Sequence, residues 1–287
     1  MSDRFCKSPA DKQVSGIEPI ACFTRTTMPM PLTIPTMPIS VDNFSQLIRH
    51  RRSVRDFLPT PVPADVLEAV LADANWSPSW SNTQPYRIAI ASGAVRDKLA
   101  HSLTARFDAG MRALAGGALG KLKAFVTREG MPDGDVKVDF AYPKDLVPRR
   151  RATGFGLYKL LGIARDDNAA RNAQMRRNFE FFGAPTAIFI FVHRGLREYS
   201  VLDAGIFLQS FMLAAEARGL ATCAQGALAT WAGPVRAAFD VPANYKLICG
   251  ISVGYASDHP VNTFNPGRVE VAQMIIGEST GSTQIFH

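Results

Sequence analysis

Apolar residues recur every three to four positions in several segments, which is the spacing of one helix face. In the first of these segments Phe44, Leu47 and Ile48 share a face, and Asp42 stands where a carboxylate can cap the free amides of a helix start. The spacing predicts helices over residues 42–48, 64–75, 94–116, 166–182, 201–218 and 231–239.

Shorter runs of β-branched and aromatic residues predict strands. The predicted strands cover residues 86–91, 186–193 and 245–253. Helices and strands follow one another without strict strand-helix-strand alternation, and no internal repeat is found. This order favours an α+β fold over a doubly wound parallel sheet.

Two segments lack a clear pattern. Residues 1–40 contain several prolines, each of which lacks an amide hydrogen and fixes its own backbone, so we predict a flexible N-terminal extension. Residues 41–287 are then predicted to form the folded domain. Within it, residues 117–165 are rich in glycine, proline and arginine, and we predict an irregular, mobile insertion that serves as a lid.

Charge and composition narrow the classes of partner. Lys and Arg number 32 against 25 Asp and Glu, a net charge of +7 that fits either a phosphate-bearing cofactor or a mildly basic surface. The basic residues form no long run with interleaved aromatics, which disfavours nucleic acid. No segment has the ~20 apolar residues of a membrane helix. The four cysteines and five histidines show no metal-binding spacing, so we expect no metal and a reducing, cytoplasmic location.

Arginines are concentrated in the segment Arg51-Arg52-Ser53-Val54-Arg55. Each guanidinium offers a planar fork of donors that matches phosphate oxygens. The same residues would also suit a solvated helix end, where cations complement the helix dipole. The segment by itself therefore leaves both interpretations open.

Three further segments could contact a ligand, although each also has a purely structural explanation. The loop from Ser77 to Pro85 concentrates hydroxyl and amide groups that could bond a polar ring edge, but it is also rich in turn formers. Small residues over 219–228 would let backbone amides approach a ligand, or simply end a helix. Arg268 follows the pair Gly254-Tyr255 and alone could be a surface cation.

Taken in this order, these segments resemble the nitroreductase family of flavoproteins. The family pattern is R-R-S-x-R, then P-S-x-x-N-x-Q-P, a late G-L-x-x-x-x-x-G, G-Y and a terminal arginine, and the resemblance spans residues 42–276. It implies a central, mainly antiparallel sheet flanked by helices. It also implies an intertwined homodimer with flavin mononucleotide (FMN) at the subunit interfaces. Residues 149–182 resemble the subgroup that includes nitrobenzoate reductases.

The resemblance also implies roles for individual residues. One subunit would place Arg51, Ser53 and Arg268 near the FMN phosphate, with Arg52 beside them and Arg55 near the N1–O2 edge of the ring. Backbone amides of Gln225 and Gly226 would face N5 and O4. The other subunit would contribute Pro78, Ser79, Trp80, Asn82 and Gln84. Some relatives carry a second cation two residues before the terminal arginine, where this chain has Pro266.

The implied activity is a two-electron, ping-pong transfer from NADH or NADPH to a nitroaromatic or related small aromatic acceptor. The flavin N5 would carry out the chemistry, so no catalytic side chain is expected. Two alternatives remain open: reductive dehalogenation of an aromatic on the same fold, with residues 117–165 as a substrate-ordered lid, and flavin binding without enzymatic activity.

Two further patterns in the chain could carry chemistry. Phe125, Tyr142, Phe155 and Tyr158 lie in the predicted lid and could stack on a substrate ring, or pack locally. Residues 250–254 read G-I-S-V-G, the pattern of a hydrolase nucleophile elbow with Ser252 as nucleophile. Asp, His and Pro follow at once and no helix can begin there, which disfavours a hydrolase.

Overall fold

The computed structural model describes residues 39–136 and 141–277. The predicted N-terminal extension therefore lies almost entirely outside the described residues, as do four residues of the predicted lid. The helices are α1 (Val41–His50), α2 (Ala64–Ala74), α3 (Gly93–Ala115), α4 (Gly117–Thr127), α5 (Val147–Leu160), α6 (Asn168–Arg176), α7 (Arg197–Glu216) and α8 (Ala232–Ala238). The strands are β1 (Tyr86–Ser92), β2 (Thr186–His193), β3 (Ala221–Gln225) and β4 (Tyr245–Gly254).

The four described strands form one antiparallel sheet in the order β1-β2-β4-β3. Strand β2 lies inside the sheet, and its side chains are buried on both faces because helices cover both. Phe189 and Phe191 point into one core with α3 and α8, while Ile188 and Ile190 point into a second core with α2 and α7. This arrangement confirms the predicted α+β class and the mainly antiparallel sheet flanked by helices.

Several described helices leave apolar side chains exposed, and α1 and α7 are two of them. Helix α1 buries none of its residues, and Val41, Phe44 and Ile48 on one of its faces are 80%, 51% and 40% exposed. Helix α7 contacts α1 and exposes Val201 and Leu202 on its outer side. Exposed apolar side chains grouped on a surface are typical of interaction sites.

Residues 117–165 are more regular than predicted. The expectation of an irregular segment is wrong for the residues that form α4 and α5. The glycines at 116 and 117 do not break up the segment, because they lie at the junction where α3 ends and α4 begins. Gly117 adopts a left-handed φ of 60°, which turns the chain at this junction.

Two other elements also differ from the sequence prediction. Strand β3 was predicted only as a helix end and a ligand-approaching loop, since its residues Ala-Thr-Cys-Ala-Gln have little β propensity. In place of one helix over 166–182, the α-helix α6 ends at Arg176 and a 3₁₀ segment follows from Arg177 to Gly183. Phe181 and Phe182 adopt left-handed φ values there, yet both rings are buried in the core.

Asp135 fixes the chain just before the undescribed residues 137–140. Its carboxylate accepts bonds from Arg194 (2.5 Å), Arg236 (2.6 Å) and the Leu247 amide (2.8 Å). Burial raises its pKa, but the Leu247 amide and the two guanidiniums outweigh burial, so the pKa lies below its usual value. A depressed carboxylate pKa stabilises the fold above the unfolded-state pKa and loses this effect as the pH falls.

We therefore expect Asp135→Asn to lower the free energy of unfolding by about 1–3 kcal/mol at neutral pH. The difference between the variant and the parent protein should shrink below about pH 4, because the carboxylate becomes protonated. Denaturant unfolding at intervals from pH 7 to pH 2 measures this difference. A gap that stays constant down to pH 2 would show that the charge of Asp135 contributes nothing.

Among the described residues, no helix is long and apolar enough to cross a membrane. The same residues hold no group of three or more histidine, cysteine, aspartate or glutamate side chains that could bind a metal ion.

Candidate functional site

The arginine segment leaves α1 and runs beside the edge strand β3. Ser53 forms a parallel bridge with Thr222, and the Val54 amide donates to the Thr222 carbonyl at 3.0 Å. Val54 is buried in the core, whereas its neighbours Ser53 and Arg55 line an open cavity. Pairing with β3 therefore presents the polar residues of this segment on one side.

That cavity has a volume of about 690 Å³ and collects arginines from both ends of the domain. Its lining includes Arg49, Arg51, Arg52, Arg55 and Arg268. Among the described residues, no carboxylate forms an ion pair with any of these five arginines. The cavity is thus strongly positive, and its charge is not compensated by the described protein.

Arg51 is the least satisfied member of this cluster. Its Nε atom is buried and has no hydrogen-bond partner in the described structure. Buried polar groups are nearly always bonded, so such an atom points to a missing acceptor. A phosphate group would supply several charged acceptor oxygens for the arginines, and the residues present fit it.

Cys223 on β3 lies close enough to the arginines for their charge to affect the pKa of its thiol. Burial raises the pKa of its thiol to about 11, although the charges of Arg55 and Arg51 oppose the rise. Burial alone raises the pKa of Cys249 on β4 to about 12. Neither thiol is ionised near neutral pH, so neither can serve as a thiolate nucleophile.

Strand β3 ends at Gln225, whose side chain is buried and fully engaged. Ser252 Oγ donates to Gln225 Oε1 at 2.5 Å, and Gln225 Nε2 donates to the Asn178 carbonyl at 2.9 Å. The next residue, Gly226, is exposed and has open space where a side chain would stand. The backbone at this strand end is therefore both rigid and accessible to a ligand.

The same contacts explain the G-I-S-V-G pattern. Ser252 lies within strand β4, not at a strand-to-helix turn, and its side chain is 0% exposed. Its hydroxyl holds Gln225 and is not available as a nucleophile. The structure agrees with the sequence argument against a hydrolase.

We expect Ser252→Ala to destabilise the protein by about 1–3 kcal/mol, because Gln225 Oε1 would be left buried without this donor. Denaturant titration of the two proteins measures the change. Ser252→Thr keeps the hydroxyl and controls for its loss. An Ala variant as stable as the parent would show that the bond to Gln225 is unimportant.

The second predicted motif lies elsewhere in the chain. The loop that contains Pro78, Ser79, Trp80, Asn82 and Gln84 packs against the first two turns of α7. The Trp80 amide donates to the Asp203 carboxylate at 3.2 Å, and the Trp80 and Tyr199 ring centroids are 4.3 Å apart. Ser79 Oγ accepts from the Gln84 amide at 2.9 Å, and Asn82 has a left-handed φ of 54°.

No residue of this loop lines the arginine cavity. Within one chain the structure brings together Arg51, Arg52, Ser53, Arg55 and Arg268, with Gln225 and Gly226 at the end of the neighbouring strand. It does not add the loop residues to that cluster.

Each of the four candidate substrate-binding aromatics is covered by an arginine. The guanidinium carbon lies 4.7–5.1 Å from the ring centroid in all four cases. The pairs are Phe125 with Arg128, Tyr142 with Arg150, Phe155 with Arg165, and Tyr158 with Arg171. No ring–ring contact joins any two of these four in the described structure, so the contacts favour local packing.

Several residues of the cavity were not singled out from the sequence. Gln209 projects from α7, and Phe264 and Asn265 contribute to the wall that leads to Arg268. Gln209 carried no distinct signal, because α7 contains other polar residues such as Asp203 and Ser210. Nothing in the local sequence distinguished the others, because their position depends on where the chain after β4 returns.

Comparison with known proteins decides the family. The family model described as "Nitroreductase family" matches residues 48–255. The chain belongs to the nitroreductase family. This confirms the resemblance found in the sequence, and the match includes the arginine segment, the loop after α2 and the end of β3.

Similar nitroreductases cover most of the chain. It is 36% identical over 237 residues to nitroreductase NfnB of Mycolicibacterium smegmatis, which covers 79% of this chain and 91% of the relative. It is 31% identical to a 4-nitrobenzoate reductase of a Nocardioides strain, over 82% and 90% of the two chains. The crystal structure of FMN-dependent NfnB from Mycobacterium smegmatis with NADPH has a TM-score of 0.70 at 33% identity, and covers 82% of this chain and 97% of that one.

Proposed function

We propose that the protein is an FMN-dependent oxidoreductase that uses NADH or NADPH to reduce nitroaromatic or related small aromatic compounds. One observation carries the proposal: a cavity lined by five arginines lies beside an accessible strand end. Within the described part of the chain none of these arginines forms an ion pair with a carboxylate, and the buried Nε of Arg51 has no hydrogen-bond partner. Nitroreductases to which the chain is similar are described as FMN-dependent or as nitrobenzoate reductases. Their coverage of the chain supports the same cofactor here.

The protein residues would bind and orient the reactants. Bound FMN supplies a ring that accepts a hydride from a nicotinamide and passes two electrons to an acceptor. Arg51, Arg52 and Arg268 would hold the phosphate, because charge-assisted bonds are roughly twice as strong as neutral ones. Arg55 would place a positive charge at the ring edge where negative charge develops on reduction. No side chain needs to form a covalent bond.

Gly226 would present its backbone amide to the ring, with Gln225 fixed behind it by Ser252 and Asn178. The lack of a side chain at Gly226 leaves room for a planar group to approach. Preorganised amides of this kind need little rearrangement during the reaction. The contribution of the protein is then mainly positioning, with two planar molecules held in contact.

We propose that the working form is a homodimer in which each site uses residues of both chains. The separation of the loop Pro78–Gln84 from the arginine cavity supports this, as do the exposed apolar faces of α1 and α7. A small aromatic acceptor would bind over the exposed ring face. We further propose that residues 117–165 cover the site, and that the enzyme works in the reducing cytoplasm.

The proposal is tested by stopped-flow spectroscopy of the protein loaded with FMN. We expect NADH or NADPH to bleach the flavin absorbance, and a nitrobenzoate without oxygen to restore it. Halophenols serve as the comparison acceptor. Dehalogenated products would favour the reductive dehalogenase, and failure of both nicotinamides to bleach bound FMN would indicate a flavin-binding protein without this activity.

A further inference from the structure

Asn262 is a buried amide behind the arginine cavity, in the turn Pro260–Thr263 that follows β4. Its side chain is nearly fully enclosed, and the residue is 9% exposed. Asn262 Oδ1 accepts from the Arg55 backbone amide at 2.8 Å, and Asn262 Nδ2 donates to the Asp56 carbonyl at 2.8 Å. A single side chain thus forms hydrogen bonds with two consecutive residues, at the end of the arginine segment and just after it.

The backbone of Asn262 reaches the other part of the segment. Its carbonyl accepts from the Arg52 guanidinium at 3.3 Å. Arg55 and Arg52 project into the cavity, whereas Asn262 does not line it. The residue therefore contacts two cavity arginines without entering the ligand space.

The position of Asn262 also joins the two ends of the domain. Residues after its turn form the cavity wall that leads to Arg268, while the arginine segment comes from near the start of the domain. Asn262 Nδ2 makes a further bond to the Ser257 carbonyl at 3.1 Å, and Ser257 Oγ donates to Asp56 Oδ1 at 2.5 Å. Every polar group of the amide is used, so its orientation is fixed.

We infer that Asn262 is a positioning residue for the arginine cluster, because it sets where the guanidiniums of Arg55 and Arg52 stand relative to the bound anion. The inference rests on the proposed FMN site and adds a residue that the binding motifs do not contain. Electrostatic binding depends on donors held within a few tenths of an ångström, so loosening the Arg55 backbone weakens each charge-assisted bond.

The test compares Asn262→Ala with Ser257→Ala. Both variants loosen the same junction, but only the first frees the Arg55 amide. We expect the FMN dissociation constant to rise about tenfold for Asn262→Ala, as the loss of the hydrogen bond that holds the Arg55 amide implies. Ser257→Ala should lower the melting temperature of the ligand-free protein with little change in this constant. The midpoint potential of bound FMN should become more negative in Asn262→Ala alone, since a cation near the reduced ring is displaced.

A second probe separates this inference from the proposed function. Inorganic phosphate should raise the melting temperature of the parent protein and of Ser257→Ala, and should do so only at about tenfold higher concentration for Asn262→Ala. Parent protein that stays colourless in excess FMN would refute the proposed function. The phosphate measurement would still test whether Asn262 positions the arginines for an anion. The positioning role would be overturned if Asn262→Ala and Ser257→Ala lowered the melting temperature equally and also had equal dissociation constants for FMN and for phosphate.

Discussion

Replacing Arg51 by Met should weaken FMN binding by about 10- to 100-fold, the loss that one or two hydrogen bonds to a charged group imply. The ligand-free protein should keep its melting temperature or gain stability. The two effects differ in sign because Nε of Arg51 is buried and has no partner among the residues that the structure describes, so the side chain costs desolvation free energy until an anion binds. Fluorescence titration with FMN and thermal unfolding of the ligand-free protein measure the two effects.

Arg112→Met is the matched control, since Arg112 is exposed in the last turn of α3 and lies outside the arginine cavity. It removes the same charge and should leave FMN affinity nearly unchanged. If both variants bind FMN equally well, the arginine cavity is not the phosphate site. If Arg51→Met instead unfolds the ligand-free protein, the side chain is structural.

Mixed dimers should regain a complete site from two defective chains. Arg51→Met removes a cavity cation, and Asn82→Ala alters the loop that packs on α7. Each variant alone should bind FMN poorly. In a heterodimer that carries one copy of each, the proposed arrangement places both defects in one site and leaves the other site intact. Co-expression with two different tags and tandem purification gives this heterodimer, and we expect one FMN per dimer at the affinity of the parent protein.

The control pairs Arg51→Met with Arg268→Met. Both residues line the same cavity of one chain, so every site of that heterodimer carries one defect. No site should regain the affinity of the parent protein. Recovery in this control, or none in the Arg51 and Asn82 pair, would contradict a site built from two chains.

The single-chain structure gives a physical reason to expect this division. Loop Pro78–Gln84 is held against α7 by the Asp203 carboxylate and the Tyr199 ring, away from the arginines. The exposed apolar residues of α1 and α7 would cost free energy if they stayed in water. A dimer that covers them can also bring the loop of one chain to the cavity of the other.

Local sequence was sufficient for the elements whose residues interact mainly with near neighbours or have a strong composition. The apolar stripes predicted α2, α3 and α7 to within a few residues, and the aromatic run predicted β2. The arginine segment could be identified as an anion-binding candidate because three guanidiniums within five residues are a strong signal by themselves.

Other features depended on partners distant in sequence, and only the tertiary structure decided them. Strand β3 exists because β4 pairs with it, not because its own residues favour a strand. Ser252 contacts Gln225, and Asn262 holds Arg55 across 207 positions of sequence. The sequence likewise did not show which arginines would stack on the predicted substrate-binding rings.

The sequence by itself determined the α+β class and the arginines offered to an anion, because these follow from periodicity and residue type, and the order of its motifs resembled the family that the comparison confirmed. The tertiary structure decided that Arg268 joins Arg51 in one cavity, that the loop after α2 lies elsewhere, and that buried amides fix the cavity from behind. The reason is that such contacts arise when the chain folds back on itself, and no local pattern encodes which distant residues will meet.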